Sequence, residues 1–463
     1  MVLAACGSPS RPSVLLITID TLRADALGVY GAEPSPSPQI DALAAEAAVF
    51  EHVISPMPMT RPAHFSMFTA RYPREHGVLN NRLSLPEDAH TLAEELQAHG
   101  YRTGAFVAVA ILSETSGASQ GFEVMDAPRR RQRHAEGVVA PTLEWLGSLD
   151  PADPFFAWVH LFDPHQPYEQ PDAVLGDVDA ELLRAYPKLE WSDFYRVAEA
   201  NGGDIPRAVL DHALALYRSE VAYADREVGR LLDGLRAVRD LDDVVVVVTA
   251  DHGECFENGV YFEHADCLQQ GALRVPLIVR HPESFEPGAR IDTLASHVDL
   301  APTLLQAVGV AAPESFGGMA LQRPLDAARR VLVQYPFYQS RAVAGRLEKR
   351  KVIETVAGET ATPVVVSEEK LGLVGRDWSY LRSGAREELY RLGARPDEWT
   401  NRAPEQPIVR ADWSAELDAM MDRHPLNVLD AGEINEELRA TLEALGYIQP
   451  PSGDSSPPSG GGR

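Results

Sequence analysis

The sequence predicts an α/β fold in which a mostly parallel sheet is covered by helices on both faces. One observation is a set of short apolar segments rich in β-branched or aromatic residues: Ser13–Asp20, Thr103–Ala110, Pro154–Asp163 and Asp242–Glu254. Segments of this kind are typical of strands buried on both faces. The other observation is that helical segments separate these strands. Such an alternation predicts parallel strands joined by crossover helices.

The predicted helices are three segments with apolar residues spaced three and four apart: Gln39–Phe50, His90–His99 and Ala213–Val238. Gly100 directly follows the second segment, where a glycine commonly ends a helix. These helices provide the connections that a parallel sheet requires.

The chain after about residue 327 has a different pattern. The segments RRVLVQYPF, RAVAGRLEKRKVIETV and RDWSYLRSG alternate in polarity and predict an antiparallel sheet, and a helical part then reaches Gly446–Tyr447. We therefore predict an N-terminal lead over 1–12, a catalytic domain over 13–326, an α+β subdomain over 327–448 and a disordered tail over 449–463.

Composition and charge exclude some functional classes. The chain has 463 residues, of which 45% are hydrophobic and 24% charged, as in globular proteins. Its net charge of -26 argues against nucleic-acid binding, which needs clustered cations. No segment approaches the roughly 20 apolar residues of a membrane span.

The N-terminus and the cysteines indicate where in the cell the protein is located. In MVLAACGS, residues Leu3 to Ala5 precede Cys6 as in the acylation motif of bacterial lipoproteins, although most of a signal peptide is missing. A lipidated Cys6 would tether the protein in the cell envelope or periplasm; with Met1 as the true start, the location would be cytoplasmic. Cys255 and Cys267 could form one disulfide or remain buried thiols.

Polar residues end the predicted strands. They are Asp20 after the first, His160, Asp163 and His165 in or after the third, and Asp251 and His252 after the fourth. Ligands of parallel sheets bind beyond the carboxyl ends of the strands. Asp20, Asp251 and His252 could together hold a divalent metal, and their mixed oxygen and nitrogen donors favour Zn²⁺ or Mn²⁺, with Ca²⁺ and Mg²⁺ as alternatives. For one aspartate alone, helix capping is an equal alternative.

The segment TRPAH, from Thr60 to His64, predicts a hydroxyl at the beginning of a helix. Amide N–H groups and the helix dipole favour anions there, and Pro62 suits the first turn. A metal ion would lower the pKa of the Thr60 hydroxyl and make it a nucleophile. The alternative is that Thr60 is an N-cap and that His64 packs under the helix.

The motifs of this chain resemble those of the sulfatase family within the alkaline phosphatase superfamily. The resemblance covers nearly the whole chain and includes VLLITIDTLRADALGVYG, TRPAHFSMFTARYPREHGV, HLFDPHQPY, TADHGE, ALRVPLIVRHP and SHVDLAPTLLQAVGV. It implies an alkaline-phosphatase-like αβα sandwich with a smaller C-terminal subdomain. It also implies a metal-dependent hydrolase of sulfate or phosphate esters.

The resemblance also assigns roles to individual residues. Asp20, Asp251 and His252 match metal ligands, and Thr60 matches a nucleophile that is also bound to the metal. His165 matches a histidine at the substrate or leaving group, His264 one at the transferred group, and His64 and Asn81 fall at substrate-binding positions. A second metal could be held by Asp163, His165 and His264, or these residues could surround a single metal. Glu254 either orients the site or is a solvated surface residue.

The departures from the family pattern concern the nucleophile. Sulfatases carry Cys or Ser in C/S-x-P-x-R, whereas this chain has Thr60 and, in place of the arginine, His64. Threonine is not a substrate for formylglycine formation, so no formylglycine is expected. Such a branch resembles enzymes of phosphate monoesters and diesters, with small-molecule, glycan or lipid esters as substrates. The alternatives are a phospho-head-group transferase and a non-catalytic, lipid-tethered binding protein.

Overall fold

The fold is built on a nine-stranded mixed sheet, seen in a computed structural model that describes residues 11–129, 132–169, 180–202, 205–256, 264, 267–335, 339–341, 352–353, 364–366, 370–392, 398, 400–427 and 429. The strands of this sheet are β1 Ser13–Ile19, β2 Ala48–Ile54, β3 Arg102–Val107, β4 Val124–Asp126, β5 Phe155–Leu161, β6 Val244–Thr249, β7 Arg274–Val275, β8 Leu277–Arg280 and β9 Arg290–Ser296. Their order is β4-β3-β5-β1-β6-β8-β2-β7, with β9 also paired to β2. Cys6, the predicted end of the subdomain at Gly446–Tyr447 and the predicted tail lie outside the described residues.

The centre of the sheet is parallel, as predicted. Strand β1 pairs in parallel with β5 on one side and β6 on the other, and Thr18 of β1 lies level with His160 and Thr249. The carboxyl ends of the three strands therefore meet at one edge of the sheet. Strands β7 and β8 run antiparallel to their partners.

The helices of the described chain flank this sheet, apart from the last one, which packs on a separate C-terminal sheet. They are α1 Pro38–Ala45, α2 Thr60–Thr69, α3 Pro73–His76, α4 Leu92–Ala98, α5 Glu136–Ser148, α6 Ala180–Ala185, α7 Trp191–Ala200, α8 Arg207–Arg236, α9 Gln270–Leu273, α10 Leu300–Ala307 and α11 Pro407–Arg423. Helices α1 and α5 pack on α8, whereas α3, α4 and α10 pack on α2. None of the described helices combines the length and the apolar character that a bilayer span requires.

The helix predicted over Gln39–Phe50 is too long. Helix α1 ends at Ala45, and the residues from Ala48 onward form β2. Val49 of this strand lies opposite Ile278 of β8 and Arg290 of β9. Sheet pairing on both sides satisfies the backbone of this apolar segment, and this tertiary gain outweighs its helical spacing.

A second, antiparallel sheet forms the C-terminal part. Its strands are β10 Val331–Gln334, β14 Lys370–Val374, β15 Trp378–Ser383 and β16 Arg386–Arg391, and α11 packs on β14 and β15. The short strands β11 Gln339–Arg341, β12 Val352–Ile353 and β13 Val364–Val366 form a third sheet. Leu373, Tyr380 and Leu417 share an apolar cluster with Tyr72 and Leu273, so the C-terminal sheet packs directly on the main part of the protein.

Candidate active site

Three predicted metal ligands meet where β1 and β6 end. Asp20 directly follows β1, and Asp251 and His252 lie just beyond β6. One ligand atom from each residue lies within 4.8 Å of the other two, and all three residues are fully buried. The His252 Nε2 atom is 3.8 Å from Asp20 Oδ1 and 3.5 Å from Asp251 Oδ2.

Backbone contacts aim these side chains. Asp251 Oδ1 accepts hydrogen bonds from the backbone N–H groups of Thr21 and His252, at 3.3 and 2.8 Å, which leaves Oδ2 facing the site. His252 Nδ1 lies 3.0 Å from the Gly253 carbonyl oxygen. Because a carbonyl only accepts, Nδ1 carries the proton and Nε2 presents its lone pair to the cluster.

The turn after β1 is strained. Thr21 has a φ of 54°, in the left-handed region that is unfavourable for a β-branched residue. Its hydroxyl donates to the Asp20 carbonyl at 2.8 Å, and the Tyr217 hydroxyl donates to the Thr21 carbonyl at 3.0 Å. These bonds hold a conformation that directs Asp20 into the site, which is where backbone strain is commonly found.

The cluster fits a divalent cation. Within the described part of the chain, both Asp20 oxygens, Asp251 Oδ2 and His252 Nε2 are buried without a hydrogen-bond partner. Burial raises the pKa of Asp20 to about 7, although the charge of His252 opposes this shift. Buried carboxylates without partners are unfavourable, and a cation would satisfy them. The mixed oxygen and nitrogen donors suit Zn²⁺ or Mn²⁺.

Thr60 begins α2 beside this cluster. The N-cap residue is Met59 and Thr60 is the first helical residue, so the alternative in which Thr60 caps the helix is wrong. Its hydroxyl oxygen is buried and has no hydrogen-bond partner among the described residues. The Thr60 carbonyl accepts from His64 Nδ1 at 2.8 Å, and this nitrogen is 3.7 Å from Asp251 Oδ2. These contacts bring the predicted nucleophile to the acidic cluster.

His64 is not placed to contact a substrate, which corrects the prediction for this residue. While Nδ1 bonds the Thr60 carbonyl, Nε2 lies 3.0 Å from the Thr18 hydroxyl, which also accepts from Trp158 Nε1 at 3.0 Å. Burial lowers the pKa of His64 to about 3, so the ring is neutral. Because both ring nitrogens are used inside the protein, His64 ties α2 to β1, as in the packing alternative.

Asn81 is held next to the nucleophile. Its Oδ1 accepts from the Arg61 backbone N–H at 2.9 Å, and its Nδ2 is buried without a partner among the described residues. The Arg61 guanidinium donates to the carbonyls of Ile111 and Leu83, at 2.6 and 3.0 Å. The amide N–H groups of Asn81 therefore suit a substrate oxygen, which stays a prediction.

Glu254 orients His264, and the alternative of a solvated surface glutamate is wrong. Glu254 is fully buried; its Oε1 lies 3.2 Å from His264 Nδ1, and its Oε2 accepts from the Tyr168 hydroxyl at 3.1 Å. The His264 ring stacks on His252 with centroids 4.5 Å apart. Burial raises the pKa of Glu254 to about 8, against the opposing charge of His252. His264 is thus held between a carboxyl group and the predicted metal ligand His252.

His165 faces the same space. Its ring centroid is 5.3 Å from that of His264, and Nδ1 donates to the Gln166 carbonyl at 2.6 Å. Burial, with help from the neighbouring His264, lowers the pKa of His165 well below its ordinary value. His165 is therefore neutral, and its buried Nε2 carries a lone pair that can accept a hydrogen bond.

Asp163 does not join a second metal set with His165 and His264. Its Oδ1 is 2.8 Å from His134 Nδ1, and its Oδ2 accepts from the Ala135 backbone N–H at 2.9 Å. Both carboxylate oxygens thereby tie the end of β5 to the start of α5. Among the described residues, the clusters able to hold a metal do not include Asp163.

Sequence reasoning named His160 only as one of the polar strand-end residues and gave no role to Tyr168. The His160 ring lies between Asp20 and His64, and the Tyr168 hydroxyl supports Glu254. The sequence could have indicated a polar contact for His160, since a histidine inside the apolar strand PFFAWVHLFD needs a polar partner. It could not do so for Tyr168, because the contact of this residue depends on how the loop after β5 meets the end of β6.

Cys255 and Cys267 form a disulfide with Cα atoms 6.5 Å apart. This bond selects one of the two interpretations of these cysteines. It joins the two ends of the segment that carries His264, and Glu254 directly precedes the first cysteine. The disulfide thus limits how far His264 can move from Glu254.

Comparison with known proteins identifies the family. The Sulfatase family model matches residues 12–310. The chain belongs to the sulfatase family. The N-acetylglucosamine-6-O-sulfatase of Bacteroides thetaiotaomicron is 21% identical over 411 residues, which cover 70% of this chain and 73% of that protein.

Solved sulfatase-like structures confirm the predicted fold. One, a complex with its substrate D-glucosamine-2-N,6-O-disulfate, aligns with a TM-score of 0.70 at 18% identity and covers 89% of this chain and 98% of that one. The phosphonate monoester hydrolase of Agrobacterium radiobacter aligns with a TM-score of 0.68 at 20% identity, over 92% of this chain and 99% of that one. This sulfatase-family protein is an ester hydrolase.

Proposed function

We propose that this sulfatase-family enzyme hydrolyses phosphate esters in preference to sulfate esters, with phosphodiesters as its best substrates and Thr60 as the nucleophile. The observation that carries the proposal is the Thr60 hydroxyl at the start of α2, which is buried without a hydrogen-bond partner among the described residues, on a residue that His64 links to Asp251. A buried hydroxyl normally has a partner. A hydroxyl without one, next to a cation site, suits attack on a bound ester.

The chemistry of threonine limits how such an ester can be cleaved. Oxidation at the Thr60 Cβ would give a ketone, because this carbon already carries a methyl group, so the formylglycine aldehyde is not accessible. A covalent ester on Thr60 must therefore be broken by water at phosphorus or sulfur. The fold similarity to a phosphonate monoester hydrolase supports a phosphorus-centred reaction.

Charge favours a monoanionic substrate. Asp20 and Asp251 balance a divalent cation, so the centre has no surplus positive charge for a dianion. The neighbouring Asn81 and the neutral His165 add no further charge, and Arg61 directs two guanidinium nitrogens to backbone carbonyls. A phosphodiester carries one negative charge, whereas a phosphate monoester carries nearly two at neutral pH.

Each residue of the site has a separate role in the proposed reaction. A divalent cation held by Asp20, Asp251 and His252 would act as a Lewis acid that lowers the pKa of the Thr60 hydroxyl. The Thr60 oxygen forms a bond to phosphorus and gives its proton to His165 Nε2, while the bond to the leaving oxygen breaks and that oxygen takes a proton from His264. Water then attacks phosphorus and gives a proton to His264. The bond to Thr60 breaks, and the Thr60 oxygen takes back a proton from His165, so that both histidines return to their starting states.

A substrate panel with one leaving group tests the proposal. We expect kcat/KM for bis(4-nitrophenyl) phosphate to exceed the value for 4-nitrophenyl sulfate at least about tenfold, a difference of roughly 1.4 kcal/mol in transition-state stabilisation. The panel adds 4-nitrophenyl phosphate and a 4-nitrophenyl phosphonate monoester, each with Mn²⁺ or Zn²⁺. A preference for the sulfate ester would contradict the proposal. Faster formation of a new ester than of free acid in added alcohol would indicate a transferase instead.

We also propose that the protein is located in the cell envelope, with Cys6 as a lipid anchor. The disulfide between Cys255 and Cys267 supports this location, because disulfides persist in oxidising compartments. In protein purified without reductant, iodoacetamide should label these cysteines only after reduction, as measured by mass spectrometry. Replacing Cys6 by serine should release the protein from the membrane fraction. Free thiols before reduction, or unchanged fractionation of Cys6→Ser, would count against it.

A further inference from the structure

We infer that His160 is a positioning residue of the cation site, which directs Asp20 toward the cation by donating Nε2–H to the carboxylate oxygen Oδ2. The inference rests on the cation site of the proposed function and is independent of the substrate and of the nucleophile. Nothing in the sequence motifs assigned a role to this residue.

His160 is buried in the middle of the sheet. It lies on β5, level with Thr18 of β1 and Val107 of β3, and is fully inaccessible to solvent. Within the described residues, neither ring nitrogen has a hydrogen-bond partner of ordinary geometry. The contact that approaches one is Nε2 to Asp20 Oδ2, at 3.4 Å. Among the carboxylates near this fully buried imidazole, Asp20 is therefore the one at a distance that approaches a hydrogen bond, whereas the Asp251 ligand atom lies within 4.8 Å.

The two oxygens of Asp20 face different partners. Oδ1 lies 3.8 Å from His252 Nε2, whereas Oδ2 lies 3.4 Å from His160 Nε2. Asp251 shows the same division, since its Oδ1 accepts two backbone N–H groups and its Oδ2 faces the cluster. In Asp251 one oxygen is bonded by the protein and the other faces the cluster; on the inferred assignment, Asp20 likewise offers Oδ1 to the cation and Oδ2 to His160. Hydrogen bonds to ligating carboxylates are a common way to fix their orientation.

His160 is better placed to hold a ligand than to be one. The ligand atoms of Asp20, Asp251 and His252 form one compact group, whereas His160 groups instead with His64 and Asp251. Both nitrogens of His64 are already bonded, to the Thr60 carbonyl and to Thr18. The second group therefore lacks the free donors that a cation needs. Because a carboxylate only accepts, the ring proton of His160 belongs on Nε2.

Aromatic packing fixes the ring before any cation binds. The His160 ring lies 5.0 Å from the His64 ring in an edge-to-face arrangement, and 6.3 Å from the Trp158 ring. His64 is itself tied to α2 and β1. The donor that we assign to Asp20 is therefore held by rigid elements, as positioning residues of metal sites require.

Cation binding by metal-free protein tests the inference. His160→Leu should raise the Kd for Zn²⁺ or Mn²⁺ by about 10- to 100-fold, the range found when groups that orient ligands are removed. His160→Gln, whose amide nitrogen can replace Nε2 as a donor, should retain most of the affinity. Titration calorimetry gives Kd, and the absorption spectrum of the Co²⁺ form reports the number of ligands, which should be unchanged in both variants.

His76→Leu is the matched control. This buried histidine lies on α3, bonds Ser66 through Nε2 and accepts from the Val78 backbone N–H, away from the cation site. Its loss should lower stability and leave Kd unchanged.

An unchanged Kd in His160→Leu would overturn the inference, as would a Co²⁺ spectrum that loses a ligand in both His160 variants. A wild-type protein that binds none of these cations would overturn it together with the site, whereas a preference for sulfate esters would leave it standing.

Discussion

Replacing Thr60 by valine is expected to lower kcat for bis(4-nitrophenyl) phosphate by about 10⁴- to 10⁶-fold, the range seen when a catalytic nucleophile is removed. Valine keeps the β-branched shape and the packing of this fully buried residue. Because the Thr60 hydroxyl has no hydrogen-bond partner among the described residues, its removal breaks no internal bond. The variant should therefore stay folded, with a melting temperature close to that of the wild type. Steady-state kinetics and thermal unfolding measure the two effects.

Thr60→Ser is the control for this experiment. Serine retains the hydroxyl at the first position of α2 and should retain activity within about tenfold, since only a methyl group is lost. Rapid acid quenching followed by peptide mass spectrometry should detect a phosphorylated residue 60 in the wild type and in Thr60→Ser, and none in Thr60→Val. Turnover by Thr60→Val at the wild-type rate would exclude Thr60 as the nucleophile.

Replacing Asp251 by asparagine should change stability in opposite directions in the metal-free and metal-loaded protein. Within the described part of the chain the buried Asp251 Oδ2 has no hydrogen-bond partner, so removing the charge should stabilise the metal-free protein by about 1–3 kcal/mol. The asparagine carbonyl can still accept the N–H groups of Thr21 and His252 that Oδ1 accepts now. With the charged ligand lost, saturating Zn²⁺ or Mn²⁺ should raise the melting temperature far less than in wild type, because ligand stabilisation grows with affinity. Scanning calorimetry measures the stability of the metal-free protein when chelator is present and that of the metal-loaded protein when it is absent.

Asp299→Asn provides the contrast, because this aspartate is equally buried but fully paired. Asp299 accepts from the backbone N–H groups of Ser296 and Met319 and forms ion pairs of 2.7 and 2.8 Å with Arg329. Its neutralisation leaves the partly buried Arg329 guanidinium without its charged partner, and should destabilise the metal-free and metal-loaded protein alike, by about 3 kcal/mol. Destabilisation of metal-free Asp251→Asn to the same extent would mean that Asp251 serves packing and not a cation.

The strands that carry the site could be predicted from sequence because their signal is local. The segments around β1, β5 and β6 are continuous apolar runs ended by polar residues, and the carboxyl ends of parallel strands share one edge of a sheet. The same rule correctly predicts that Asp20 lies close to Asp251 and His252. The end of α1 was not predictable in this way, since pairing of β2 with β8 and β9 depends on residues more than 200 positions away.

The roles of individual histidines depended on contacts that no spacing encodes. His64 occupies the arginine position of the family motif, but its nitrogens bond Thr18 and the Thr60 carbonyl inside the protein. Asp163 lies two residues before His165, but its carboxylate binds the start of α5. In both cases the contacts of the side chain depend on which neighbouring element packs against it.

The sequence by itself determined the parallel sheet, the family, the strand-end carboxylates and the threonine in place of Cys or Ser, because each is a property of residue type and order. Only the tertiary structure decided that Thr60 is a helix residue whose hydroxyl has no hydrogen-bond partner among the described residues, that Glu254 contacts His264, and that His160 lies next to Asp20. These facts depend on distances between atoms from different strands and helices. A buried polar group is satisfied by whatever the fold brings within reach, and that is determined when β1, β5, β6 and α2 pack together.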